Sequence, residues 1–418
     1  MAMKQIKQRA PTRTRQTAVA APPRVEATQP VQASHPVSSG GGFAALLESV
    51  EQEVVAVTYW FEPAPRPQPY PVTIKFTGRR VDVEGRLQPR DQFVHYETID
   101  RVIPGSGPIS ITAQVRDINP GEWSVSASAQ PSAHAVRGTT RRQVQEVAMP
   151  APDPKSPLAR FWRWWAPSVG EEASAPVKTC MSPLARTPGT LLGAWIAFVV
   201  LGIVLALIVQ TVVITHDHIS HGPLWVIYTL GVLGGFAGAK LWFLAKHGRE
   251  GRWEGWCVQG SVAGGALAVI ILLIAFHMPI GTFADATAPG LLMGMAVGRI
   301  GCFFAGCCGG PATAAWWGVW SSDQHVGARR IPTQLMESSF TMLLALATLA
   351  TVLTRGPAGG AIFVAGIAAF TLGRQGILRL REEAEAIQVS VRQQIVTAAA
   401  ALAFVAAIVL AVLHYVAA

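Results

Sequence analysis

TLLGAWIAFVVLGIVLALIVQTVVI, residues 190–214, carries no charged side chain over its whole length. Wound as a helix it is long enough to cross an apolar core of about 30 Å with some tilt, so it reads as a membrane span. It also divides the chain. Residues 1–188 are polar, Pro-rich and Arg-rich, whereas 189–418 hold nearly all the long apolar runs. Over its 418 residues the chain is 50% hydrophobic and only 14% charged, too apolar for an average soluble protein of this size.

Downstream, the hydropathy pattern places further spans at about 223–245, 257–277, 286–306, 335–354, 358–377 and 394–416, seven in all. Upstream, VTIKFTGRRVDVEGR, DQFVHYETIDRV, ISITAQVRDI and EWSVSASA are alternating or β-branched runs separated by Gly, Pro and Asp turns. Their spacing predicts a small β-sandwich at roughly 54–130. The segment before it, GFAALLESVEQEVVAV, begins with helix formers and ends in β-branched residues. The expected fold is an α-helical polytopic membrane protein of about seven transmembrane helices with a small N-terminal all-β sandwich-like domain. In domains, it reads as a disordered tail (1–42), the β domain (43–130), a Pro/Arg-rich linker (131–188) and a transmembrane domain (189–418). Within the linker, LARFWRWWAPS (158–168) has the aromatic and arginine content of a membrane-interface segment.

The formal charge is +9, but the basic residues lie in the tail, beside spans and in short loops. Anionic lipid headgroups fit that distribution better than nucleic acid. Five cysteines (180, 257, 302, 307 and 308) show no disulfide-framework spacing. The start MAMKQIKQRAPTRTRQ is basic with no apolar run behind it, so the first span is expected to act as the insertion signal.

Chemistry concentrates in GRIGCFFAGCCGG (298–310) and in RIPTQLME (330–337). An arginine in mid-span costs about 2.5–3.5 kcal/mol on insertion scales and persists where it meets an anion or a wet cavity. Arg299 therefore requires a partner. Arg299 and Arg330 together could grip a phosphodiester through paired N–H donors; either could instead pair with Glu337 and tie two helices. The glycines of MGMAVGRIG and AGCCGG, and the small-residue faces GFAGAK and GSVAGG, permit close helix approach. HDHISH (216–221) reads as a solvated turn, His325 as a loop histidine and the Cys302, Cys307, Cys308 group as small-residue packing, so no metal site is expected.

GRIGCFFAGCCGG is similar to the signature of the prolipoprotein diacylglyceryl transferase family, an arginine and glycine run followed by small residues, and RIPTQLME resembles the family's later Arg…Gln-Leu-Tyr-Glu run. GGFAGAKLW (234–242), VQGSVAGG (258–265) and GGAIFVAGIAAFTLGRQ (359–375) resemble three more family segments in the right order. The resemblance implies transfer of a diacylglyceryl group from phosphatidylglycerol to the lipobox cysteine thiol of a prolipoprotein, in a bacterial plasma membrane and without a cofactor. It makes Arg299, Arg330, Glu337 and Gln259 the catalytic positions. Gly298, Gly301, Cys302, Gln334, Lys240, Gly260 and Arg374 become the substrate-binding ones. The implied partners are phosphatidylglycerol, prolipoprotein signal peptides and membrane lipid.

Several positions depart from the family pattern. Gln259 stands where the family has histidine, Cys302 where it has asparagine, Met336 where it has tyrosine and Lys240 where it has arginine. Glutamine cannot serve as a general base. These departures motivate a second reading, a non-catalytic phospholipid-binding relative whose β domain is a binding or assembly module. A third is a membrane thiol or transport protein. Orientation is contested as well: the Lys/Arg flanks favour a cytoplasmic N-terminus, whereas the family reaction implies chemistry on the outer face.

Overall fold

The structure, a computed structural model, describes residues 53–81, 83, 85–130, 148–150, 157–170, 174–216, 223–247, 257–380 and 391–417. The tail expected at 1–42, His218, His221 and residues 131–147, 151–156 and 171–173 of the Pro-rich linker lie outside them.

Five strands open the described chain: β1 (Glu53–Pro63), β2 (Tyr70–Arg80), β3 (Gln92–Val102), β4 (Ile109–Val115) and β5 (Glu122–Gln130). Short pieces follow, β6 (Ala148–Pro150), helix α1 (Pro157–Trp165), β7 (Ser168–Val169), β8 (Ala175–Lys178) and β9 (Cys180–Met181). The apolar half forms α2 (Ala194–His216), α3 (Leu224–His247), α4 (Val258–Ala275) and α5 (Ile280–Ala305). A hairpin, β10 (Val319–Ser322) and β11 (Val326–Arg330), precedes α6 (Thr333–Arg355), α7 (Ala361–Leu378) and α8 (Val391–Ala417).

The strands make two sheets. One has the order β10-β11-β4-β1-β6, with β7 and β9 also on β1; the other runs β3-β2-β5-β8. The sequence of β1, EVVAVTYWFEP, is apolar on both faces, and both faces are covered. Inward, Val55, Val57, Tyr59 and Phe61 join Ile74, Phe76, Ile111 and Trp123 in the sandwich core. Outward, the Thr58 and Thr112 hydroxyls bond at 2.8 Å, and Trp60 stacks on Trp320 with ring centroids 5.4 Å apart. Trp162 of α1 packs on the same cluster, while Trp164 of that helix is 77% exposed. Helix α1 thus has the two-sidedness of an interfacial helix.

Beyond the four strands read from the sequence, the sheets continue past residue 130 into β6 to β9 and take in β10 and β11 from the apolar half. These pieces are two to five residues long, too short for a period of two to show. Asp91, at the edge between β2 and β3, accepts hydrogen bonds from Asn119 Nδ2 (2.8 Å), the Gln88 N–H (2.9 Å) and Arg80 Nη1 (3.2 Å). Those donors, Asn119 foremost, hold its carboxyl below the usual carboxylate range.

Six of the helices from α2 onward are long and apolar enough to cross a membrane, and α4 is a shorter apolar helix. Sheet pairing settles its role. Strand β4 precedes α2 and β11 follows α5, yet they are hydrogen-bonded, with Val326 opposite Ile111 and Gly327 opposite Ser110. Both ends of the α2–α5 stretch therefore lie on one membrane face, and four crossings satisfy that condition where three cannot. The chain is a polytopic membrane protein with a small β domain on the face of the β10–β11 hairpin.

Small residues set the helix pairs. A Cβ at Gly202 of α2 would come within 2.7 Å of the Gly294 carbonyl oxygen of α5, and one at Gly264 of α4 within 2.7 Å of the Gly238 backbone of α3. The GFAGAK and GSVAGG faces thus pack on each other. Fully buried Asp285 of α5 accepts the backbone N–H groups of Ala358 (2.7 Å), Gly360 (2.8 Å) and Phe363 (2.9 Å) at the start of α7. It satisfies donors that a helix N-terminus leaves open and sits at the positive end of the dipole.

Candidate functional site

Helix α5 ends at Gly306, whose φ of 69° is left-handed, with the Cys307 N–H on the Cys302 carbonyl (3.2 Å) and the Gly306 N–H on that of Phe303 (3.3 Å). This pairing is a Schellman ending, which sets the side chains of Cys302 and Cys307 against each other. Glycine is needed at 306, because an L side chain is strained at that φ.

One turn before this ending, Arg299 points to α6. Its Nη2 donates to Glu337 Oε2 at 2.7 Å, and Arg374 Nη1 of α7 donates to Glu337 Oε1, also at 2.7 Å. The Glu337 side chain is 1% exposed, that of Arg299 13% and that of Arg374 39%. Two guanidiniums therefore share one buried carboxylate, leaving one net positive charge. Arg299 Nη1 also lies 3.6 Å from Cys302 Sγ, and its buried Nε has no hydrogen-bond partner among the described residues.

The three groups line a groove of about 400 Å³ between α2, α5 and α7. Its walls are otherwise apolar, including Trp195, Ile203 and Phe370, and Gly298 contributes open space, since a Cβ there would touch nothing within 4 Å. At the rim Trp195 and Ile203 are about half exposed on the outer face of α2. An apolar trough with a cationic head has the character of a site for an amphiphilic anion.

Arg330 does not line this groove. At the end of β11, with a side chain 5% exposed, it donates from Nη2 to Asp323 Oδ2 at 2.6 Å and from Nη1 to the Gly310 carbonyl at 3.4 Å. Asp323 in turn accepts the N–H groups of His325 and Val326 (3.0 and 2.6 Å), closing the hairpin turn. Gln334 Nε2 donates to the Cys307 carbonyl (2.9 Å) and the Thr333 hydroxyl to that of Cys308 (3.1 Å). Arg330, Thr333 and Gln334 together hold the 307–310 segment behind the groove.

Of the expected site residues, the structure brings Gly298, Arg299, Cys302, Glu337 and Arg374 to one groove and sets Arg330 and Gln334 behind it. Gly301 packs on Phe198 and Ala194 of α2. The other three belong to the α3–α4 pair: Gln259 is exposed, Gly260 abuts the Gly238 backbone, and Lys240 Nζ sits 5.7 Å from the Phe243 ring centre. None of these three lines the groove, because α4 packs on α3 rather than beside α5 and α7. His325 holds the hairpin turn, and among the described residues no three His, Cys, Asp or Glu side chains gather as metal ligands. Sequence reasoning missed Asp323 as the partner of Arg330, Asp285 as a helix cap and the wall residues Trp195 and Phe370. For Asp285 a signal existed, an acid within an apolar span and a Gly-Pro-Ala-Gly-Gly helix start further on.

A family model described as prolipoprotein diacylglyceryl transferase matches residues 191–415. Phosphatidylglycerol–prolipoprotein diacylglyceryl transferase of Clostridium tetani is 28% identical over 142 residues, 31% of this chain and 55% of the relative. Phosphatidylglycerol–prolipoprotein diacylglyceryl transferase 2 of Streptomyces coelicolor is 34% identical over 137 residues, 31% of this chain and 43% of the relative. Phosphatidylglycerol–prolipoprotein diacylglyceryl transferase of Nostoc sp. is 27% identical over 192 residues, 41% of this chain and 66% of the relative. The chain thus spans between a third and two thirds of the length of the relatives it matches, and strands β1 to β9 lie before the matched region. Since the family model covers more than half of the chain, the chain belongs to the prolipoprotein diacylglyceryl transferase family.

Proposed function

We propose that the protein moves the diacylglyceryl group of phosphatidylglycerol onto the lipobox cysteine thiol of a prolipoprotein, with the donor headgroup in the Arg299–Glu337–Arg374 groove. The observation that carries this reading is the two-to-one ratio of guanidinium to carboxylate at the head of an apolar groove. Arg299 and Arg374 are each anchored on Glu337 through one nitrogen and keep further N–H donors for phosphate oxygens. In the reaction the thiol sulfur forms a bond to the glycerol carbon bearing the phosphate ester, that C–O bond breaks, and glycerol phosphate departs with the electron pair. The thiol proton ends on the departing phosphate. Fixed positive charge at the leaving oxygens, in a water-poor groove, stabilises charge as it develops. Arg330 acts from behind, by holding the 307–310 segment.

Transfer to an exported preprotein puts the groove, and with it the sandwich, on the outer face of a bacterial plasma membrane. This reading opposes the charge rule. Sheet pairing sets the flanks around Arg186, Lys246 and Arg379 on the sandwich's face, and that rule by itself would make this face cytoplasmic. Reporter fusions just before α2 and at the C-terminus decide between them.

The decisive assay incubates the full chain with labelled phosphatidylglycerol and a lipobox peptide and seeks the thioether by mass. Product from the wild type, lost by about a hundredfold or more in Arg299→Lys, is expected. Well-folded protein that yields none overturns the proposal. One observation favours a second reading, a lipid-binding relative without catalysis: Gln259 replaces the family's histidine and lies outside the groove lining. That reading predicts phosphatidylglycerol binding with no thioether product.

A further inference from the structure

The β domain is joined to the hairpin behind the groove by contacts made across more than 200 positions of sequence, Trp320 to Pro108 among them. Beyond the β4–β11 register, the Thr112 N–H donates to the His325 carbonyl at 2.8 Å and Trp320 Nε1 to the Pro108 carbonyl at 3.1 Å. Trp320 stacks on Trp60 of β1, and the join is tight at Gly327, where an added Cβ would collide with Ser110 and the Trp320 ring. A hairpin of strands four and five residues long is marginal alone in water. Here it is completed as the edge of a seven-stranded sheet.

From the hairpin an unbroken set of contacts leads to the groove. Arg330, the last residue of β11, holds Gly310; Thr333 and Gln334 hold Cys308 and Cys307; and the Cys307 N–H closes on Cys302, which lines the groove beside Arg299.

We propose that the N-terminal sandwich is a strap on the catalytic groove: through β4 and Trp60 it clamps the β10–β11 hairpin and so holds the 307–310 segment and the end of α5 in register with α6. Ser110, Thr112 and Trp320 are positioning residues, not catalytic ones. The kinetic arm of the test rests on the transferase reading, whereas the labelling arm does not.

Two variants loosen the strap in the full chain. Thr112→Pro removes the N–H that reaches His325 at the hairpin turn, and Trp320→Ala removes both the stack and the indole donor; if the first fails to accumulate, the second carries the test. A third pair, Ile111→Cys with Val326→Cys, locks the strap. These residues face each other at a non-hydrogen-bonded position of the antiparallel ladder, next to the bonded Thr112 and His325, where side chains lie closest. Two thiols there plus a low-molecular-weight disulfide give one protein disulfide and two reduced small thiols.

The loosened proteins are expected to lose kcat by about tenfold with KM for phosphatidylglycerol changed by less than about twofold. Maleimide labelling of Cys307, read by peptide mass, is expected to rise about tenfold, since local opening sets its access. Introducing the lock into Trp320→Ala and oxidising should return both readouts to those of wild type treated alike. Wild-type kcat and wild-type Cys307 labelling in a folded loosened variant would overturn the strap, as would failure of the 111–326 cross-link to form. A chain inactive before any substitution refutes the transferase reading, and labelling alone then decides the strap.

Discussion

The protein holds two buried arginine sites that differ in one number, the ratio of cation to anion. At the groove, Arg299 and Arg374 share Glu337; behind it, Arg330 has Asp323 to itself and borrows carbonyls from Gly310 and Val326. At the second site one cation meets one anion, with Arg330 buried and Asp323 42% exposed, and Arg330 also donates to the backbone of its own connection. The first keeps a surplus of charge and opens on apolar space. Arginine is thus matched by its own anion in one place and left in surplus in the other. Counting charges separates the two where sequence proximity to a motif does not.

The largest expected effect comes from Glu337. Glu337→Ala leaves the buried Arg299 and the part-exposed Arg374 without their shared anion, and loss of one partner of a buried pair such as Arg299–Glu337 costs about 3–5 kcal/mol. The variant should unfold at markedly lower temperature in detergent, whereas Glu337→Gln should lie between it and wild type. Equal melting of all three would show that the cluster is hydrated and unimportant to stability.

Next, Arg374→Ala should abolish the charge surplus with less damage, because this side chain is 39% exposed. Phosphatidylglycerol binding is expected to weaken by about tenfold or more, close to the value of one charge-assisted hydrogen bond, 1.5–3 kcal/mol. Asp323→Asn should instead leave binding within about twofold and lower kcat, since it loosens a fastener and not the receptor. If Asp323→Asn weakens binding as much as Arg374→Ala, the two sites do not differ as described.

A smaller difference is expected at Gln259. Gln259→Ala, exposed on α4 and absent from the groove lining, should change transfer by less than about twofold. A large loss would bring α4 into the site. Smallest is Asp91→Asn in the sandwich. Because the folded carboxyl titrates below its unfolded value, the stability it confers is present above the unfolded pKa and disappears as pH falls through the folded one. The melting difference between variant and wild type should therefore close on acidification, and a gap that persists would assign the effect to shape and not to charge.

Which parts were legible follows from distance along the chain. The spans could be read because helix and bilayer share a length scale, and Arg299 and Glu337 because charge in apolar sequence has few explanations. The α3–α4 contact was half legible: both glycine faces show in the sequence, but not that each meets the other. The hairpin was not. VWSS and VGARR are too short to read as strands, and Trp320 bonds a carbonyl 212 positions earlier. Gln259 was assigned to the site through likeness to a family whose histidine it replaces, a route that carries no geometry. For Asp285 both the acid and the later helix start show in the sequence, but not that its carboxylate meets backbone N–H groups 73 and more residues on.

The central claim is that the surplus cation clasps an anionic glycerolipid, and photo-cross-linking tests it most directly. A phosphatidylglycerol analogue with the photoreactive group on an acyl chain should label peptides of α2 and α5 around Ile203 and Leu291, which line the groove. Unlabelled phosphatidylglycerol should compete and zwitterionic phosphatidylcholine should not, and Arg299→Ala with Arg374→Ala should erase the signal. Labelling that is spread over all the helices, or is displaced equally by both lipids and survives loss of both arginines, would contradict it.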